Sequence, residues 1–263
     1  MSTPIPKDIP DLPAVPGRPR LRPSFVPAAA VVAPVYRPLA ALYRFLVAVT
    51  AAAAVAVDLL LGSPGRVLSY FTIESNVLLA LVFALSAWRA GTARRPLSPL
   101  VTGGALFYVV IAGLVYHVLL VNEPGPFSMT GRSGAPTGWA ALANQVLHTV
   151  TPAAAVLDWL LLTSPAAPLR LRHARKWLLY PMAYLAFSLV RGALIPPGRE
   201  GRYLYPFLEV DRLGYKSVLG NALLLGLTFF GLALLLVVID HFRPDPTRRR
   251  RRKTGFRLQP PVG

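Results

Sequence analysis

The 263-residue chain is 54% hydrophobic and only 15% charged, against roughly 25% charged in an ordinary soluble domain. Its 28 basic and 11 acidic residues leave a formal charge of +17, its mean hydropathy is +0.50, and it has no cysteine. A disordered chain, a disulfide scaffold and a cysteine-ligated metal site are excluded. The gathering of charge into blocks and of apolar residues into long runs argues against a soluble nucleic-acid binder.

Residues 1–38 hold ten prolines and no long apolar run. Proline at that density prevents a helix and builds no core, so a disordered basic tail is expected there. It is not a cleavable signal peptide, because the first apolar run comes too late and is too long. Six apolar runs follow, at about 39–61, 67–88, 99–121, 139–162, 177–195 and 217–241. Each approaches the ~20 residues that span a hydrocarbon core of about 30 Å. None alternates like a strand, and helices satisfy their own backbone in lipid. The expected fold is an all-α integral membrane bundle of six transmembrane helices over residues 39–241. A second basic disordered tail is expected at 242–263.

The connections set the orientation. The first tail, Arg89, Arg94 and Arg95 after the second run, Arg170 to Lys176 between the fourth and fifth, and the Arg248–Lys253 block lie on one side. The positive-inside rule places that side, with both termini, in the cytoplasm. The Arg248–Lys253 block is read as a juxtamembrane tail on anionic lipid rather than a nucleic-acid patch. Arginine accounts for 24 of the 28 basic residues. With the wealth of Ala, Pro and Leu, this points to a GC-rich bacterial genome and so to a bacterial plasma membrane.

Polar residues inside a span are costly and each needs a reason. The second run carries Thr72, Glu74, Ser75 and Asn76; the third, His117; the fourth, Asn144, Gln145, His148, Thr149 and Thr151; the fifth ends at Arg191; and Asp58 closes the first. Counted at 1.5 Å per residue, Thr72 lies about 8 Å, His148 about 13 Å and His117 about 6 Å from the outer boundary. The polar groups thus share one outer layer, and an outward polar cavity is expected among them. Thr72, Ser75 and Asn76 share a helix face, as do Asn144, His148 and Thr151. Glu74 points about 200° away from Thr72. Pro152 removes a backbone donor one turn after His148 and is expected to free that residue's carbonyl. A threonine hydroxyl beside an imidazole makes a nucleophile and base, with Asn76 or Asn144 as oxyanion donor. Two other readings stay open on spacing alone: purely structural interhelical hydrogen bonds, and a metal held by His117, His148 and Glu74 or Asp58, for which no HExxH-like spacing exists.

Ser69-Tyr70-Phe71-Thr72 resembles the K-Y-L-T opening of a helix in the androgen-induced-protein family of multi-pass membrane proteins. Asn144-Gln145-Val146-Leu147-His148-Thr149 with Pro152 resembles that family's N-H-x-x-H-T-x-x-x-P segment, and Tyr203 to Leu208 its W-x-Y-P-F-L. The order is the same across most of 39–241, and the chain is also similar to a bacterial group of six-helix membrane proteins related to the family. The resemblance implies a hydrolase of fatty-acid esters, with Thr72 as nucleophile and His148 as base. Gln145 replaces the family's first histidine, and Glu74 adds a charge near the nucleophile. Glu74, His117, Arg191 and Tyr205 complete the candidate pocket. No cofactor or metal is called for, and the partners expected are membrane lipids and a lipid-ester substrate. The alternative function is a non-catalytic lipid-binding or transport protein.

Overall fold

The computed structural model describes residues 36–121, 129–131, 135–163, 168–199 and 201–243. Among them every regular element is helical. Six helices are long and apolar enough to cross a bilayer: α1 (Pro38–Leu61), α2 (Phe71–Gly91), α3 (Pro99–Leu120), α4 (Gly138–Leu162), α5 (Leu171–Leu194) and α6 (Val210–Phe242). The expected tails fall almost wholly outside the described residues: Pro38 opens α1 and Phe242 closes α6.

Two helices start earlier than the apolar runs imply. The first turns of α5 (Leu171–Trp177) are rich in arginine, yet His173, Ala174 and Trp177 on one face are buried. That amphipathic pattern hides from a count of apolar residues. α6 begins at Val210, and the left-handed Gly214 (φ 71°) bends it between a polar opening and an apolar body. α2 begins later than its run, at Phe71, because Pro64–Val67 forms a separate helical turn.

The polypeptide alternates between two ends of the bundle. At the tail end, the backbone N–H of Arg37 donates to the Ala90 carbonyl, and its guanidinium donates to the Leu162 carbonyl at 2.5 Å. Arg44 grips Asp158 bidentately at 2.8 and 3.1 Å. Asp240 accepts from Trp159 Nε1 (2.9 Å), the Leu169 backbone (2.8 Å) and Arg243 (2.9 Å). Asp158 and Asp240 are both buried, so arginine rather than hydration carries their charge, as burial of a carboxylate requires.

Small residues set the packing, as membrane helices need where no hydrophobic force drives them together. The alanine face of α1 (Ala48, Ala51, Ala54) is buried and lies against α2 and α4. On α3, Gly103 and Gly104 open a slot for the Trp177 ring: a Cβ at Gly103 would stand 2.4 Å from that ring. The indole then donates to the Leu100 carbonyl at 2.9 Å. The outer surface is apolar. Leu60, Leu194 and Leu223 are 86%, 79% and 67% exposed, an unsustainable surface in water and an ordinary one in lipid.

Candidate functional site

α2 starts without a capping side chain of its own. Tyr70 stands at its N-cap and makes no side-chain cap bond, so the first N–H groups need other acceptors. Two phenols stand beside that first turn. The Tyr184 hydroxyl interacts with the backbone of Phe71 and the Tyr205 hydroxyl with that of Thr72. Tyr184 also donates to the Ser69 carbonyl at 2.8 Å. A side-chain hydrogen bond further links Tyr205 to Thr72. Burial pushes the Tyr205 phenol above its ordinary value, and its interactions with Thr72 oppose without cancelling that shift, so the group stays protonated at working pH.

α4 carries the opposing half. Between Val146 and Val150 the helix widens into a π turn, and the Thr151 N–H closes on the Val146 carbonyl five residues back. Pro152 follows with no N–H. The Leu147 carbonyl thereby loses its usual partner and the next one along. Asn76 Nδ2 reaches across from α2 to fill the gap at 3.2 Å, and the Thr151 hydroxyl lies 3.4 Å from it. The π register is why the rescued carbonyl is Leu147's rather than His148's. The His148 carbonyl instead packs on Gly113 of α3, where a Cβ would stand 3.0 Å away.

His148 is 1% exposed. Its Nδ1 lies 3.0 Å from the Asn144 carbonyl, which can only accept, so Nδ1 carries the proton. Nε2 is left as an acceptor, and the Thr72 hydroxyl lies 3.2 Å from it. The Tyr116 ring stacks on the imidazole, centroids 4.2 Å apart at 25°. Asn144 Nδ2 donates to the Tyr116 hydroxyl at 2.7 Å, which fixes both sides of the imidazole with one residue. The continuous order is Tyr205, Thr72, His148, Asn144.

Most of the other polar side chains are taken up by carbonyls or by one another, while Asp58 Oδ2 is buried without a hydrogen-bond partner among the described residues. Asn76 gives its two amide protons to the Thr72 and Leu147 carbonyls (2.9 and 3.2 Å) and accepts from Thr151 at 2.6 Å. Glu74 accepts from Tyr180 at 2.5 Å, on the face away from His148. His117 is exposed and lies 2.9 Å from the Thr149 hydroxyl. Arg191 donates to the carbonyls of Gly201 and Arg202 (2.7 and 3.2 Å). Asp58 is buried at the end of α1, facing a small pocket shared with Thr130 and Asn144. Among the described residues no three His, Cys, Asp or Glu gather as a metal site would need.

A cavity of about 110 Å³ meets this array from the side. Its walls are apolar residues of α3, α5 and α6, among them Ile111, Leu185 and Phe229, and Thr72, Tyr184 and Tyr205 bring hydroxyls to it. Met182, 66% exposed, stands on the α5 wall, so the cavity opens sideways toward the lipid-facing surface. The sequence led us to expect a polar cavity. The polar groups instead pair across the α2–α4 interface, since a buried donor gains more from an acceptor than from a void, and the cavity beside them is apolar. Tyr116 and Tyr184 had no signal in the sequence, where an aromatic in a membrane helix is unremarkable.

No known protein family, curated protein or solved structure matches this chain.

Proposed function

We propose that the protein is a multi-pass membrane hydrolase of lipid carboxylic esters. It sits in a bacterial plasma membrane with both termini in the cytoplasm, and the site lies in the outer half of the bilayer. Thr72 is the nucleophile and His148 the base. The observation that carries this reading is the Thr72 hydroxyl 3.2 Å from the His148 Nε2, with Nδ1 turned to the Asn144 carbonyl, at the edge of an apolar cavity suited to an acyl chain. A hydrogen-bonded hydroxyl and imidazole with the ring oriented from behind is the arrangement that nucleophilic acyl transfer needs.

Thr72 Oγ1 attacks the ester carbonyl as its proton passes to His148 Nε2. The carbonyl oxygen becomes an oxyanion, and the Tyr205 hydroxyl donates to it, because both Asn76 amide protons are already committed. The ester C–O bond then breaks, and His148 returns the proton to the departing alkoxide, which leaves as an alcohol. Water attacks the acyl-threonine with the same base, releasing the fatty acid and restoring the Thr72 hydroxyl. The resemblance to the androgen-induced-protein family supports the same two residues in the same roles.

A fluorophosphonate probe on the purified protein tests the reading. Thr72 should be labelled, and the label should vanish in Thr72→Ala. Absence of labelling together with absence of cleavage of medium- and long-chain esters would leave a non-catalytic lipid-binding protein in its place.

A further inference from the structure

Three connections at the end of the bundle opposite the tails converge on Arg66. The residue lies in the helical turn between α1 and α2. Gly131, with φ 79°, comes from the α3–α4 connection, and a Cβ there would stand 2.3 Å from Arg66 Nη1. Gly201, with φ 71°, comes from the α5–α6 connection, and a Cβ there would stand 3.1 Å from Arg66 Cζ. Both conformations favour glycine, and the missing side chains are what admit the guanidinium. Arg66 Nε is buried and meets no acceptor. Among the described residues Arg66 has no carboxylate partner, since the ion pairs there join Arg44, Arg202, Arg212 and Arg243 to acids.

A second arginine adjoins the first. Arg191 holds the Gly201 carbonyl at 2.7 Å, on the same glycine that Arg66 abuts, and among the described residues it too has no carboxylate partner. Among the described residues, two guanidinium groups therefore meet at one glycine with no carboxylate paired to either. At the tail end, by contrast, Arg44 and Arg243 are each paired with a buried aspartate. A planar guanidinium matches the paired oxygens of a phosphate. Leu68, two residues on, is 48% exposed, and the apolar outer face of the bundle begins at this level.

We propose that Arg66, backed by Arg191, binds the phosphate of an anionic phospholipid headgroup at this end of the bundle. The acyl chains of that lipid lie along the exposed apolar helices, which is why a lipid phosphate rather than a free one is the ligand. The site is separate from Thr72 and His148, and its test does not depend on ester cleavage.

The full chain in detergent is titrated with phosphatidylglycerol, with diacylglycerol of the same chains, and with inorganic phosphate, and retained ligand is read by native mass spectrometry. Phosphatidylglycerol should bind at least about tenfold tighter than the other two, and Arg66→Gln should remove that advantage. Arg66→Lys, which keeps the charge but not the fork, should fall between. Diacylglycerol retained as well as phosphatidylglycerol would overturn the proposal, as would Arg66→Gln binding like the wild type. Inorganic phosphate that displaces the lipid at equal concentration would overturn the choice of a lipid ligand. If Arg66→Gln fails to fold, the headgroup comparison on the wild-type chain and Arg66→Lys decide between the same outcomes.

Discussion

Thr72 and His148 should behave as one unit. Replacing either with Ala should lower ester cleavage by about 10³-fold or more, and the double variant should lose little beyond either single one, as coupled catalytic groups do. Thr72→Ser should keep part of the activity because the hydroxyl survives. Purified variants assayed on a long-chain ester check this, and additive losses would break the unit apart. Stability should separate Thr72 from Asn76. Thr72→Ala forfeits hydrogen bonds worth about 0.6 kcal/mol each. Asn76→Ala strands the Leu147 carbonyl and removes the acceptor of Thr151, and should cost about 1–2 kcal/mol. Thermal unfolding in one detergent should therefore rank Asn76→Ala below Thr72→Ala. The shared face of Thr72 and Asn76 was readable from their spacing of four. That Asn76 braces a carbonyl on another helix was not, because the need arises from a π turn that leaves no mark in composition.

Along each helix, close contact depends on glycines and on a proline. Gly113 of α3 sits where a Cβ would come within 3.0 Å of the His148 carbonyl and 3.1 Å of Pro152 Cγ. Both neighbours are backbone or ring atoms with little room to move. Gly113→Ala should therefore push α4 away from α3, destabilise by about 1–3 kcal/mol and reduce cleavage about tenfold or more, since a misplacement near 1 Å can cost 10² in rate. Activity unchanged at lowered stability would mean that α4 moves as a rigid piece with α2. The helices themselves were largely legible, because lipid demands some 20 apolar residues per crossing. The starts of α5 and α6 were not, because their first turns bury one face and leave arginine, lysine or aspartate on the other.

Across the whole molecule the two ends differ in how they handle charge. The tail end pairs arginine with buried aspartate, and the opposite end cradles Arg66 between glycines. The absence of cysteine makes orientation directly measurable. Ser63 and Ser98 are exposed at opposite ends of the bundle. With the termini cytoplasmic, Ser63→Cys should react with a membrane-impermeant thiol reagent in intact cells, and Ser98→Cys only after permeabilisation. The reverse pattern would invert the orientation and with it the leaflet that holds the site.

The sequence by itself determined the helical class and six helices long and apolar enough to cross a membrane, since each follows from local hydropathy and a fixed rise per residue. The shared helix faces of Thr72 with Asn76 and of Asn144 with His148 were readable from their spacing. Only the tertiary structure decided which polar groups meet. Tyr205 reaches Thr72 from a connection more than 130 residues later in the chain, Tyr116 covers the imidazole, and His117 turns outward to Thr149. The apolar character of the cavity was decided there too. A polar side chain's partner is fixed by where neighbouring helices place their donors and acceptors, and that placement depends on small residues and a widened turn whose effect is felt only once the helices pack.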